Sequence, residues 1–104
     1  MAEVLSIEEL RSRIDVIDDQ LVRLLNVRVA CAVEVGRLKH EADLPIYQPE
    51  REAQVLSKVR QSATALSGQL TAEAVVRIFE RVIDEARRAE RVASERRDNL
   101  EAGE

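Results

Sequence analysis

The 104-residue chain is predicted to be all-α: a three-helix subunit with a very long first helix, working as an intertwined homodimer. Three observations lead there. Apolar residues recur at alternating spacings of three and four, the period of a helix face rather than a strand. Three glycines and two prolines leave little material for tight turns, so few, long elements are expected. The composition, rich in Ala, Glu, Leu, Val and Arg, is that of helical proteins. The length suits one domain and is too short for two separate cores. Residues 1–104 are therefore read as one domain, with a core over about 6–93 and a polar tail, 94–104, expected to fray.

The first helix begins at a capping box, Ser6 to Glu9, with Leu5 and Leu10 placed as a hydrophobic staple. Its apolar seam runs through Ile7, Leu10, Ile14, Ile17, Leu21 and Leu24, then resumes at Cys31, Val35 and Leu38. Pro45 restricts Leu44, so the helix should end near residues 40–43. About 35 helical residues span about 52 Å, whereas a compact domain of this size has a radius of gyration of only about 13 Å. The far half of such a helix has to be buried on a partner, so length alone predicts a homodimer.

Pro49 suits the first position of a second helix with Gln48 as its cap. That helix carries Ala53, Leu56, Val59 and Ala63, runs to Leu66, and is expected to stop at Gly68. Thr71 is a good N-cap for a third helix, which should bury Val75, Val76, Phe79, Val82, Ile83, Ala86 and Ala93.

Charge and composition exclude several functions. A net charge of −4 opposes binding nucleic acid by phosphate neutralisation. Tyr47 and Phe79 are too few aromatics to stack single strands. The start, MAEVLSIEEL, lacks a basic segment followed by an apolar run, and no apolar stretch approaches the length of a membrane span. Cys31 is the single cysteine, which suits a reducing, cytoplasmic compartment; on an apolar stripe it is expected to be a small core residue. His40, the single histidine, is expected to be solvated near a helix end, and no metal site is expected.

Against this pattern some polar residues stand in the wrong places. Arg28 occupies a seam position, where an unpaired guanidinium is costly. Lys39 follows 11 residues later, so it projects from the same face to within about 20°. About 16 Å of axis separates the two, leaving a gap between their heads that suits a small anion. Glu90 continues the apolar stripe of Phe79, Ile83 and Ala86 on the third helix, and Arg51 and Glu52 open the second. Each has an ordinary explanation: a buried ion pair or a snorkelling side chain for Arg28 and Glu90, a helix-dipole interaction for Lys39, solvent for Arg11, Arg51 and Glu52. Their coincidence on one frame is what calls for a functional one.

The ordered segments LRSRIDVIDDQLVRLLNVR, VEVGRLK, PIYQPEREAQVL and RIFERVIDEAR resemble the all-helical family of chorismate mutases over roughly residues 6–93. The resemblance implies an intertwined dimer with two sites and no cofactor, converting the dianion chorismate to prephenate by a [3,3] sigmatropic rearrangement. It implies that Arg28 grips one substrate carboxylate from its own subunit and Arg11 the other from the partner. It further implies that Lys39 donates to the ether oxygen and a carboxylate, that Glu52 accepts from the ring hydroxyl, and that Arg51 lines the site. Spacing agrees with the two-subunit arrangement. Arg11 lies about 25 Å along the helix from Arg28, so the two cannot share a small ligand unless two long helices run antiparallel.

Positions 48, 86 and 90 depart from the commonest pattern of that family. Gln48 stands where aspartate is frequent, leaving a contact through backbone open. Ala86 replaces a common serine and loses a hydrogen bond to a carboxylate. Glu90 stands where many members carry glutamine. A glutamate donates to the ether oxygen only when protonated, so activity is expected to rise as pH falls. Within the same resemblance an isochorismate pyruvate lyase and an aminodeoxychorismate mutase remain open. A helical dimerisation module without chemistry is the rival from another class. It would account for the seam and not for the cation in its middle.

Overall fold

The computed structural model describes residues 4–103, which fold into α1 (Ile7–Glu41), α2 (Pro49–Leu66) and α3 (Ala72–Ala102). α1 starts where the capping box places it: the Ser6 hydroxyl accepts from the Glu9 backbone N–H at 3.1 Å, and Glu8 and Glu9 sit favourably at the positive end of the helix dipole. It stops at Ala42, and Asp43 takes a left-handed conformation (φ 54°) that turns the chain before Pro45. α3 is capped in the same way as α1, the Thr71 hydroxyl accepting from the Ala74 N–H at 3.1 Å.

α3 packs on both other helices, while α1 and α2 do not pack on each other. The core is therefore a strip along α3, where Ile83 and Ala86 are buried and Val75, Val76, Phe79, Val82 and Ala93 are half-buried. On α2, Val55, Leu56, Val59 and Ala63 meet this strip half-buried. An ion pair, Arg60 to Glu73 at 3.0 Å, fastens the far end of α2 to the start of α3.

Only the second half of α1 takes part. Every residue over 7–27 is exposed, including Leu10, Ile14, Ile17, Leu21 and Leu24, which are 46% to 65% accessible. At 1.5 Å per residue that arm is about 31 Å long. The chain measures 67 × 29 × 16 Å, with a radius of gyration of 18.4 Å, well above the roughly 13 Å of a compact domain this size. The seam from Leu10 to Leu24 is thus a continuous apolar stripe that nothing in the described chain covers.

Three local expectations are corrected. The left-handed residue ending α2 is Ser67 (φ 52°, ψ 42°), one position before Gly68, its N–H returning to the Ala63 carbonyl at 3.1 Å. Gln48 is the N-cap of α2, as expected, and its side chain makes no capping bond. Ala53 and Leu66 are exposed, not packed. The polar tail does not fray at Ser94, since α3 continues to Ala102. Glu, Arg, Leu and Ala are strong helix formers, and local propensity carries the helix past the point where its apolar stripe ends.

Candidate active site

Because α1 and α2 meet only through α3, a cleft opens between them with Ile83 and Ala86 in its floor. It encloses about 610 Å³ and is open to solvent on one side, a size that suits a small organic ligand. Arg28 and Lys39 line it from α1, Gln48, Arg51 and Glu52 from the start of α2, and Ala86 and Glu90 from α3. Arg11 is not among the lining residues; it lies exposed on the free arm of α1. The helical period accounts for this convergence. Arg28, Val35 and Lys39 lie along one face of α1, and Ile83, Ala86 and Glu90 along one face of α3.

The cations Arg28, Lys39 and Arg51 have no acidic partner within 4.0 Å among the described residues. Arg91 and Arg97 also line the cleft, as do Glu52, Glu90 and Glu95. A chain of net charge −4 thus concentrates unpaired cations in one concavity. Arg28 and Lys39 are half-buried and Arg51 is exposed; a half-buried cation without a counterion keeps its hydrogen-bond donors free.

Glu90 sits against the one glycine of α1. A β-carbon built on Gly36 would stand 3.7 Å from both Cγ and Oε2 of Glu90. Burial there pushes the Glu90 carboxyl above its ordinary value; Lys39 and then Arg87 pull it down, and Glu52 pushes it up again. Desolvation wins, so the proton is held more tightly than on a free glutamate.

One feature went unread in the sequence, Arg87, and one expectation, a core Cys31, is corrected. Arg87 of α3 donates from Nε to Oε2 of Glu52 at 2.9 Å and from Nη2 to Oε1, closing a two-pronged bridge across the cleft floor to α2. Its position held a clue: it lies four residues after Ile83 and three before Glu90, on the edge of the buried stripe. Cys31 is exposed and lines the cleft, not the core. The α1 face it shares with Arg28 and Val35 looks onto open space, with no helix packed over it. Among the described residues, no group of three or more His, Cys, Asp or Glu side chains is arranged to hold a metal ion. No helix of the described residues is long and apolar enough to cross a membrane.

Fold and site together define a class, an all-helical chain with a cation-lined cleft assembled from three helices around a half-buried carboxyl. The model of the type II chorismate mutase family matches residues 10–91, and the chain belongs to that family. It is 40% identical over 78 residues to a bifunctional chorismate mutase/prephenate dehydratase of Aquifex aeolicus, covering 74% of this chain and 22% of that protein. A bifunctional chorismate mutase/prephenate dehydratase of Pseudomonas aeruginosa is 38% identical over 88 residues, 80% of this chain and 23% of its own length. A chorismate mutase of Methanocaldococcus jannaschii is 35% identical over 52 residues, 50% of this chain and 52% of its own length. The chain thus spans less than a quarter of the bifunctional relatives and about half of the archaeal one.

Proposed function

We propose that the cleft binds chorismate and rearranges it to prephenate in phenylalanine and tyrosine synthesis, without a cofactor, in a cytoplasmic homodimer. The observation that carries this reading is the pair of unpaired cations, Arg28 and Lys39, facing Glu90 across a ligand-sized cleft. A [3,3] rearrangement breaks a C–O bond and forms a C–C bond within one molecule. It needs no nucleophile and no net proton transfer, so the protein has two tasks: to fold the dianion into its reactive shape and to stabilise the charge that develops.

Arg28 presents a planar fork to one carboxylate. Lys39 donates to a carboxylate and to the ether oxygen, where negative charge grows as the C–O bond lengthens, so its contribution is larger in the transition state than in the ground state. Protonated Glu90 donates to the same oxygen; ionised, it would repel that charge. Its raised pKa supports the protonated role. Glu52 accepts from the ring hydroxyl, and Arg51 supplies further positive potential. Gln48 would contact substrate through its backbone, and Ala86 offers only a close apolar floor.

The exposed arm of α1 carries a further arginine fork, Arg11, outside the cleft of its own subunit. In a two-fold dimer with antiparallel arms each Arg11 reaches the partner's cleft, and the stripe from Leu10 to Leu24 is buried in the same step. The test is turnover of chorismate and of isochorismate by the purified protein, with thermal shift by a bicyclic dianion that mimics the transition state. Prephenate formation and a raised Tm support the reading. Pyruvate release from isochorismate alone would reassign the chemistry, and no shift and no turnover would leave only a helical scaffold.

A further inference from the structure

Arg87 is absent from the catalytic scheme, yet it makes the only bridge between α2 and α3 inside the cleft among the described residues. Its guanidinium is anchored twice. Nε and Nη2 hold both oxygens of Glu52, while Nη1 donates to Oδ1 of Asp84 at 3.3 Å, one helical turn away on α3. A bidentate arginine–carboxylate pair fixes the plane of the carboxylate as well as its location. Glu52 needs such a fixture. It stands in the first turn of α2, whose N-cap Gln48 makes no side-chain bond, and a glutamate has three rotatable bonds with which to leave the cleft.

We propose that Arg87 is a positioning residue, holding the Glu52 carboxylate in the cleft with its free lone pairs turned toward the substrate's ring hydroxyl. A carboxylate has about four acceptor sites, and a bidentate arginine takes two, so Glu52 still has room for a hydroxyl. The same guanidinium offsets the charge of Glu52, which would otherwise oppose entry of a dianion. The inference rests on the mutase reading and adds to it the group that orients the hydroxyl acceptor.

The bridge also ties two helices together, so loss of activity in a variant would not by itself separate orientation from folding. The discriminating probe is the substrate. Wild type, Arg87→Gln and Arg87→Lys are assayed on chorismate and on the same dianion lacking its ring hydroxyl, with Tm measured for each. Arg87→Gln is expected to lower kcat/KM on chorismate by about 10- to 100-fold, the size of a lost hydrogen bond to a charged group. The loss on the deoxy compound is expected to be several-fold smaller. Arg87→Lys keeps a charge but not the fork, recovers only part of the loss on chorismate, and supplies the comparison if the glutamine variant folds poorly. In a Glu52→Gln background, Arg87→Gln should cost little more, because the two act as one unit. Equal losses on both substrates, or none on either, overturn the inference while the mutase reading stands. A wild type inert on both compounds overturns the mutase reading and this inference with it.

Discussion

The Glu90 carboxyl packs over Gly36, near enough that a β-carbon there would make an ordinary contact of 3.7 Å with Oε2. Gly36 has no need of glycine's conformational range, since its backbone does not take a positive φ. Gly36→Ala should therefore fit without displacing Glu90, and should stabilise α1 by about 0.5–1 kcal/mol through helix propensity. The added methyl removes water from the carboxyl, so the midpoint of the pH–rate profile should move upward. Thermal melts and a pH–rate series on the two proteins check both; a downward midpoint would contradict the desolvation account.

Glu90 is the group whose titration should be visible in activity. Its pKa is raised in the folded chain, and the protonated form is the hydrogen-bond donor, so kcat/KM should fall as pH rises through that value. Glu90→Gln, a permanent donor, should flatten the profile. Stability follows the same sign. Between the ordinary carboxylate value and the raised folded one, the native state binds more protons than the unfolded chain, so wild-type stability declines with rising pH. The glutamine variant should escape that decline and be the more stable protein at neutral pH. A native profile that stays flat across mildly acidic to neutral pH would count against a protonated Glu90.

Arg28 should be separable into catalysis and stability. No acid partners it among the described residues, so Arg28→Ala leaves no orphaned carboxylate there and should hold or raise Tm. Its kcat/KM should fall by about 10²- to 10⁴-fold, the cost of removing a charged donor from a site built around it. Arg28→Lys should recover only part, because a point charge does not reproduce the fork. A large drop in Tm for the alanine variant would show a structural ion pair instead.

Arg11 gives the sharpest test of the dimer. Arg11→Ala should lose activity although its side chain lies outside the cleft of its own chain. When Arg11→Ala and Arg28→Ala chains are unfolded together and refolded as an equal mixture, half the dimers are mixed, and each of these has one site with both arginines intact. The mixture should recover about a quarter of wild-type activity, as two-fold symmetry requires. No recovery would contradict a site that takes Arg28 from one chain and Arg11 from its partner.

The arm of α1 should also control assembly. Ile17 and Leu21 are each 51% accessible in the single chain, so replacing both with aspartate would not disturb its own packing. It should abolish association and, with it, activity, as read by sedimentation and by turnover. A folded monomer with full activity would contradict the shared site.

The sequence by itself determined the elements. Ser6 and Thr71 mark helix starts because their hydroxyls satisfy backbone N–H groups three residues on, and Pro45 bars helix at Leu44; both are short-range chemistry. The periodic stripes put Arg28 and Lys39 on one face and Ile83, Ala86 and Glu90 on another, which fixes what can converge once the helices pack. The extension of α3 to Ala102 was also local, and the polarity of the tail masked its helix propensity. What tertiary structure alone decided is which faces stay apart. Cys31 lies on the same stripe as Val35 and still faces a cleft, because α1 and α2 both lean on α3 and leave space between them. The pairing of Arg87 with Glu52 joins residues 35 apart, and no local period encodes that. It depends on how α2 packs against α3, where Val55, Leu56 and Val59 lie half-buried.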